Sequence, residues 1–137
     1  MFLLDTCVVS EGNRARSNED VDGWLAAQKT ADMFISSVSI GEIRYGVDRL
    51  PFGKKRSDLE RWFDEIVLVG FAGRVVAFDL KAALHWADIR ATYPNAKLVD
   101  AQIAASAIAS GLILATRNVR DFPFPNLSVF NPWQSAG

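Results

Sequence analysis

The apolar opening Met1-Phe2-Leu3-Leu4 stops at Asp5, and so short a run leaves room for a strand but not for a helix. Comparable short runs recur along the chain: Phe34-Ile35-Ser36, Arg74-Val75-Val76-Ala77-Phe78, Leu112 to Thr116, and Ser128-Val129-Phe130. Longer stretches with helical spacing lie between them. Val21, Trp24 and Leu25 follow Asn18, a candidate N-cap, while the polar residues 11–20 before them read as a loop. Ile40, Ile43, Val47 and Leu50 predict a helix that Pro51 stops. Leu59, Trp62, Phe63, Ile66 and Val67 form an amphipathic stripe. Asp79 reads as the N-cap of a helix carrying Ala82, Ala83, Trp86 and Ile89. Val99 to Ala109 predicts a slim helix closed by Gly111 at its C′ position. Short strands alternating with helices predict an α/β fold on a mostly parallel sheet. The length suits a single domain over residues 1–137.

Such a sheet gathers the carboxyl ends of its strands, and the helix starts beside them, around one crevice. Four acids are candidates for that place: Asp5 after the first strand, Glu42, Asp100 at a helix start, and Asp121 beyond the run ending at Ala115. Acids gathered there repel one another unless a divalent cation neutralises them, which points to metal-dependent chemistry. Each also has a local explanation. Asp5 can cap a short helix starting at Thr6. Ser39-Ile40-Gly41-Glu42 matches a capping box, although Ser36 and Ser37 offer earlier caps that would leave Glu42 inside the helix. Asp100 suits the dipole of a helix N-terminus, and Asp121 suits a polar loop. The argument for a site therefore rests on the set and its placement.

Composition removes competing chemistries. The one histidine, His85, lies mid-helix, so no serine–histidine or histidine pair can form. Cys7, the one cysteine, has no disulfide partner in the chain, and Asp5 beside it disfavours the thiolate. That cysteine usage fits a reducing cytosol. No apolar run approaches the ~20 residues that span a bilayer, and no signal-peptide pattern opens the chain, so a cytoplasmic protein is expected. The four tryptophans read as core. A net charge of −1 gives no global attraction to nucleic acid. Local cations, Arg14/Arg16, Arg44/Arg49, Lys54/Lys55/Arg56 and Arg117/Arg120, are available to hold a phosphate backbone around an acidic centre.

Leu3-Leu4-Asp5-Thr6, Ser36 through Gly46, Asp100 through Ala107 and Ala115 through Phe122 together resemble the PIN domain, and more closely its VapC/FitB-type toxins from bacterial toxin–antitoxin pairs. Val129-Phe130-Asn131-Pro132-Trp133 is similar to that subgroup's ending. The resemblance implies a three-layer α/β/α domain with about five short strands. It also implies a Mg²⁺- or Mn²⁺-dependent endoribonuclease with Asp5, Glu42 and Asp100 at its metal centre. Either Asn118 or Asp121 would complete the site, and Thr6 and Thr116 would support it. Cys7 stands where relatives commonly carry Asn. As partners the resemblance implies RNA (tRNA or rRNA loops), a cognate antitoxin and a second copy in a homodimer.

The expected reaction is in-line attack of a metal-activated water on an RNA phosphodiester, giving 5′-phosphate and 3′-hydroxyl ends. The main alternative is a PIN-like module that binds nucleic acid or protein without cutting. A receiver-like phosphoacceptor is disfavoured because no lysine follows Leu112.

Overall fold

The computed structural model describes residues 1–134. Strand β1 is Phe2–Leu4, followed by helices α1 (Thr6–Glu11) and α2 (Glu19–Ala27). Strand β2 (Met33–Ser36) runs directly into α3 (Ser37–Asp48), and α4 (Lys54–Trp62) follows. Then come β3 (Val75–Val76), α5 (Leu80–Thr92), α6 (Leu98–Ser110), β4 (Ile113–Ala115) and β5 (Val129–Phe130). All five strands are parallel, in the order β3-β2-β1-β4-β5. The first strand thus lies at the centre. Its Leu4 pairs with Ile35 on one side and Ala115 on the other.

Alternation along the strands feeds two cores, as a parallel sheet covered on both faces requires. Leu3 and Leu114 point to one face, where Ile89 of α5 and Ala101, Ile103, Ala104, Ala105 and Ala107 of α6 pack. The alanines let α6 approach closely. Leu4, Val8 and Ala115 build the opposite face with Trp24, Leu25 and Phe71, continued by Ile35, Ile43, Phe63 and Val67. The three-layer α/β expectation holds, with a sheet that is wholly parallel.

The local signals explain most boundaries. The Asn18 side chain accepts from the amides of Asp20 and Val21 at 2.9 and 3.2 Å. Asp79 accepts from the Ala82 amide at 3.0 Å, and Gly111 ends α6 at φ 67°. Three expectations need correction. Residues 11–20 are not all loop: Glu11 ends α1, is buried, and accepts from the Asn18 amide at 3.0 Å. The strand expected over residues 74–78 is reduced to Val75–Val76 at the sheet edge. The stripe through Leu59 and Val67 is not one α-helix, because a π-helical segment, Phe63–Leu68, follows α4. In it Phe63 and Val67 face inward, while Ile66 turns out to 58% exposure. None of the four tryptophans is fully buried; each is half-buried at the margin of a core. Among the described residues no helix is long and apolar enough to cross a membrane.

Candidate functional site

Chain order runs outward from β1 in both directions, so the sheet's switch point lies between β1 and β4, the place where α/β proteins open a crevice. Asp5 and Thr116, the residues immediately after these strands, meet there. The Asp5 amide donates to the Ala115 carbonyl at 2.9 Å, extending the ladder by one bond. Its side chain is both a cap and a crevice acid. Oδ1 accepts from the Thr6 amide at 2.9 Å, starting α1, and Oδ2 accepts from the buried Thr116 hydroxyl at 2.7 Å. The Thr116 Oγ1 also accepts from the Asn118 amide at 3.1 Å, tying the following loop to the same point.

Glu42 reaches the crevice from α3. Ser36, not Ser39, is the N-cap, accepting from the Val38 amide at 3.0 Å, so Glu42 lies inside the helix and the capping box does not form. Its Oε1 instead accepts from the Thr6 hydroxyl at 3.1 Å. Partial burial pushes the Glu42 carboxyl up; the Thr6 hydrogen bond opposes this and the Asp5 charge adds to it. Asp100 lies in the first turn of α6. Its carboxyl is pushed up to about 6, first by desolvation and then by the charges of Asp5 and Asp121; Lys97 opposes the shift and Glu42 adds to it. All four predicted acids therefore share one electrostatic field.

Asp121 closes a single 3₁₀ turn, Val119–Asp121, and its Oδ2 lies 3.8 Å from the Lys97 ammonium. Asn118 precedes that turn, exposed, and its side chain makes no capping bond. Two openings meet at this loop. A cavity of about 400 Å³ is lined by Tyr93, Lys97, Asp100, Arg120, Asp121 and Phe124. Another of about 410 Å³ shares Arg120 and Asp121 and adds Arg117 and Asn118.

Cys7 borders the cluster, with Sγ 3.7 Å from both Asp5 Oδ2 and Thr116 Oγ1. Burial pushes its thiol up, and the Asp5 charge adds to that, so it is neither a thiolate nucleophile nor a ready soft ligand. Among the described residues no three acidic, His or Cys side chains close into a metal cage. What the crevice offers is an open set of carboxylates that raise one another's affinity for a positive charge. That donor set fits a hard divalent cation which keeps several of its waters.

Not every basic cluster flanks this site. Arg44 of α3 pairs with Glu60 of α4 at 3.9 Å, and Arg56 of α4 with Asp48 of α3 at 3.7 Å, so they join α3 to α4. Arg14 pairs with the buried Glu11 at 3.3 Å. Arg117 and Arg120 do line the openings beside the acids. Sequence reasoning missed Lys97. Its signal was available: a cation at the N-cap position of α6 opposes the helix dipole and calls for an acidic partner.

The PIN domain family model matches residues 2–125. The chain is 36% identical to the VapC ribonuclease Y4jK of Sinorhizobium fredii, over 99% of this chain and all of that protein. It is 38% identical to the toxin FitB of Neisseria gonorrhoeae, over 97% of this chain and 99% of the relative. The crystal structure of FitAcB from Neisseria gonorrhoeae superposes with a TM-score of 0.90 at 38% identity, covering 98% of this chain and 99% of that one. A family match across most of the chain, relatives aligned over nearly their whole lengths and a crevice of acids at the switch point agree: the chain belongs to the PIN domain family, among its VapC/FitB-type toxins of toxin–antitoxin pairs.

Proposed function

We propose that this chain is a metal-dependent endoribonuclease, folded as a single PIN-like domain, whose cutting an antitoxin restrains. The observation that carries the reading is Asp100, whose carboxyl is lifted to about 6 first by desolvation and then by the charges of Asp5, Asp121 and Glu42, against the pull of Lys97. Carboxylates held together against their own repulsion are suited to binding Mg²⁺ or Mn²⁺. Asp5 and Asp100 are the assigned ligands, with Glu42 beside them. Asp121 is preferred over Asn118 as the fourth member, because its charge acts on Asp100. A bound cation supplies a lowered pKa for the attacking water and neutralises charge on the phosphate.

The chain's own groups do the positioning. Thr116 and the Thr6 amide fix both oxygens of Asp5, so its orientation does not depend on substrate. Thr6 fixes Glu42 Oε1, which leaves Oε2 to orient the attacking water and accept its proton. Lys97, Arg117 and Arg120 hold flanking phosphates. No histidine stands here to deprotonate the RNA 2′-hydroxyl, so water is the nucleophile and the products carry 5′-phosphate and 3′-hydroxyl ends.

RNA is the substrate class because a VapC ribonuclease is among the full-length relatives, and unpaired regions such as tRNA or rRNA loops bend most easily into a recessed site. A homodimer and a cytoplasmic location complete the reading. The test is cleavage of unpaired RNA by purified protein with Mn²⁺ or Mg²⁺, followed by end-group analysis. Activity should vanish with chelator and with Asp5→Asn or Asp100→Asn. Products ending in 2′,3′-cyclic phosphate would overturn the mechanism. Binding without cleavage under any divalent ion would favour the non-cutting module.

A further inference from the structure

The larger share of the 400 Å³ cavity beside Asp100 and Asp121 is not acidic. Tyr93 and Phe124 form one wall, their rings 5.2 Å apart and steeply inclined at 74°. Pro94 and Asn95 continue that wall, while Lys97 and Arg120 flank the acids. This turn is held firmly. Arg90 donates to the carbonyls of Pro94 at 3.3 Å and Ala96 at 3.2 Å, and the Ala96 amide donates to the Tyr93 carbonyl at 3.0 Å. The Tyr93 hydroxyl donates to the Pro123 carbonyl at 3.3 Å, fixing the ring from its far end. An aromatic and proline wall, a side-chain amide and two cations, continuous with a crevice of acids, match the parts of one nucleotide: base face, base edge and phosphates.

We propose that this cavity is a nucleotide subsite that receives one unpaired nucleotide next to the phosphodiester being cut. Tyr93 and Pro94 form its base platform, Asn95 reads the base edge, and Lys97 and Arg120 hold phosphate. The inference rests on the ribonuclease reading and deepens it, because the subsite sets which position of the RNA the chain distinguishes. The pairing of two cations with an aromatic and proline wall favours RNA over a protein segment as occupant. Lys97 is 75% exposed at the cavity rim, where a backbone phosphate can take it from its long contact with Asp121.

The experiment compares wild type, Tyr93→Leu, Tyr93→Phe and Asn95→Ala on a randomised unpaired RNA pool and on an abasic RNA oligomer, whose phosphodiesters carry no base to stack. Tyr93→Leu should lower kcat/KM on RNA about tenfold, mainly through KM, and leave the baseless substrate at the wild-type rate. Tyr93→Phe should restore RNA cleavage. Asn95→Ala should flatten the base preference at one position beside the cut. Variants that match wild type in KM and preference would overturn the subsite while leaving the ribonuclease reading intact. Equal loss on both substrates would overturn it as a structural effect. Weakened antitoxin binding with RNA cleavage unchanged would assign the cavity to the protein partner and overturn it. Wild type that cuts neither substrate would overturn the ribonuclease reading and the subsite together.

Discussion

Thr116 does more than its size suggests, since one buried hydroxyl donates to Asp5, accepts from the Asn118 amide and touches the Cys7 sulfur. Thr116→Val keeps the shape and removes the hydroxyl. It should cost about 1.5–3 kcal/mol of stability, read by denaturant unfolding, because the lost bond goes to a carboxylate. Cleavage should fall with it as Asp5 loses one of its fixed oxygens. Asp100 gives a second expectation. A carboxyl raised to about 6 from 3.8 stabilises the fold below its unfolded value and loses that contribution as pH rises through 6. Metal-free wild type should therefore lose melting temperature relative to Asp100→Asn between pH 4 and pH 7. Mn²⁺ should restore it at pH 7 and do little at pH 4. Partial exposure of Asp100 keeps the effect modest, and parallel melting curves for the two proteins would refute it. At this scale the caps were legible, because Asn18 and Asp79 act through neighbours a few residues away. The dual part of Asp5 was not, since its second partner lies far along the chain.

Among the elements, the segment after α4 shows where spacing misleads. Apolar residues at Leu59, Trp62, Phe63, Ile66 and Val67 satisfy a period of about 3.6. A π-helical turn has a wider period, and over Phe63–Leu68 it keeps Phe63 and Val67 inward while rotating Ile66 outward. Ile66→Lys should change monomer stability by no more than about 0.5 kcal/mol, as a surface substitution does. Val67→Ala should cost at least about 1 kcal/mol, because Val67 is fully buried. Reversed magnitudes in thermal unfolding would restore the regular helix. Hydrophobic spacing cannot signal such a turn, because both registers place Phe63 and Val67 together. The same limit applies to β3, where the apolar run from Val75 to Phe78 continues past the point at which pairing with β2 ends.

For the molecule as a whole, a net charge of −1 means that RNA is engaged through a few cations near the acids rather than a broad basic face. Lys97, Arg117 and Arg120 are the ones that line the openings. At about 0.7 per contact on a single strand, log KM for RNA should rise with log salt at a slope of about 2. Rates across a salt series would check this, and a slope of about 5 or more would require a wider surface. Strand order was foreshadowed by the alternation of short strands and helices. The switch point was not, because it depends on which strand chooses which neighbour. That choice has a consequence for synthesis. The central strand is made before the other four strands of its sheet, yet Thr116, which fixes its acid, lies 111 residues later. Until β4 emerges, β1 has a neighbour on one side only, and the crevice lacks Thr116 and Asp121. Assembly of the acids therefore waits for contacts of long sequence separation, which form slowly. A growing chain of this kind cannot complete its crevice until β4 and the loop after it have been made, which gives a restraining partner time to be present when the crevice closes.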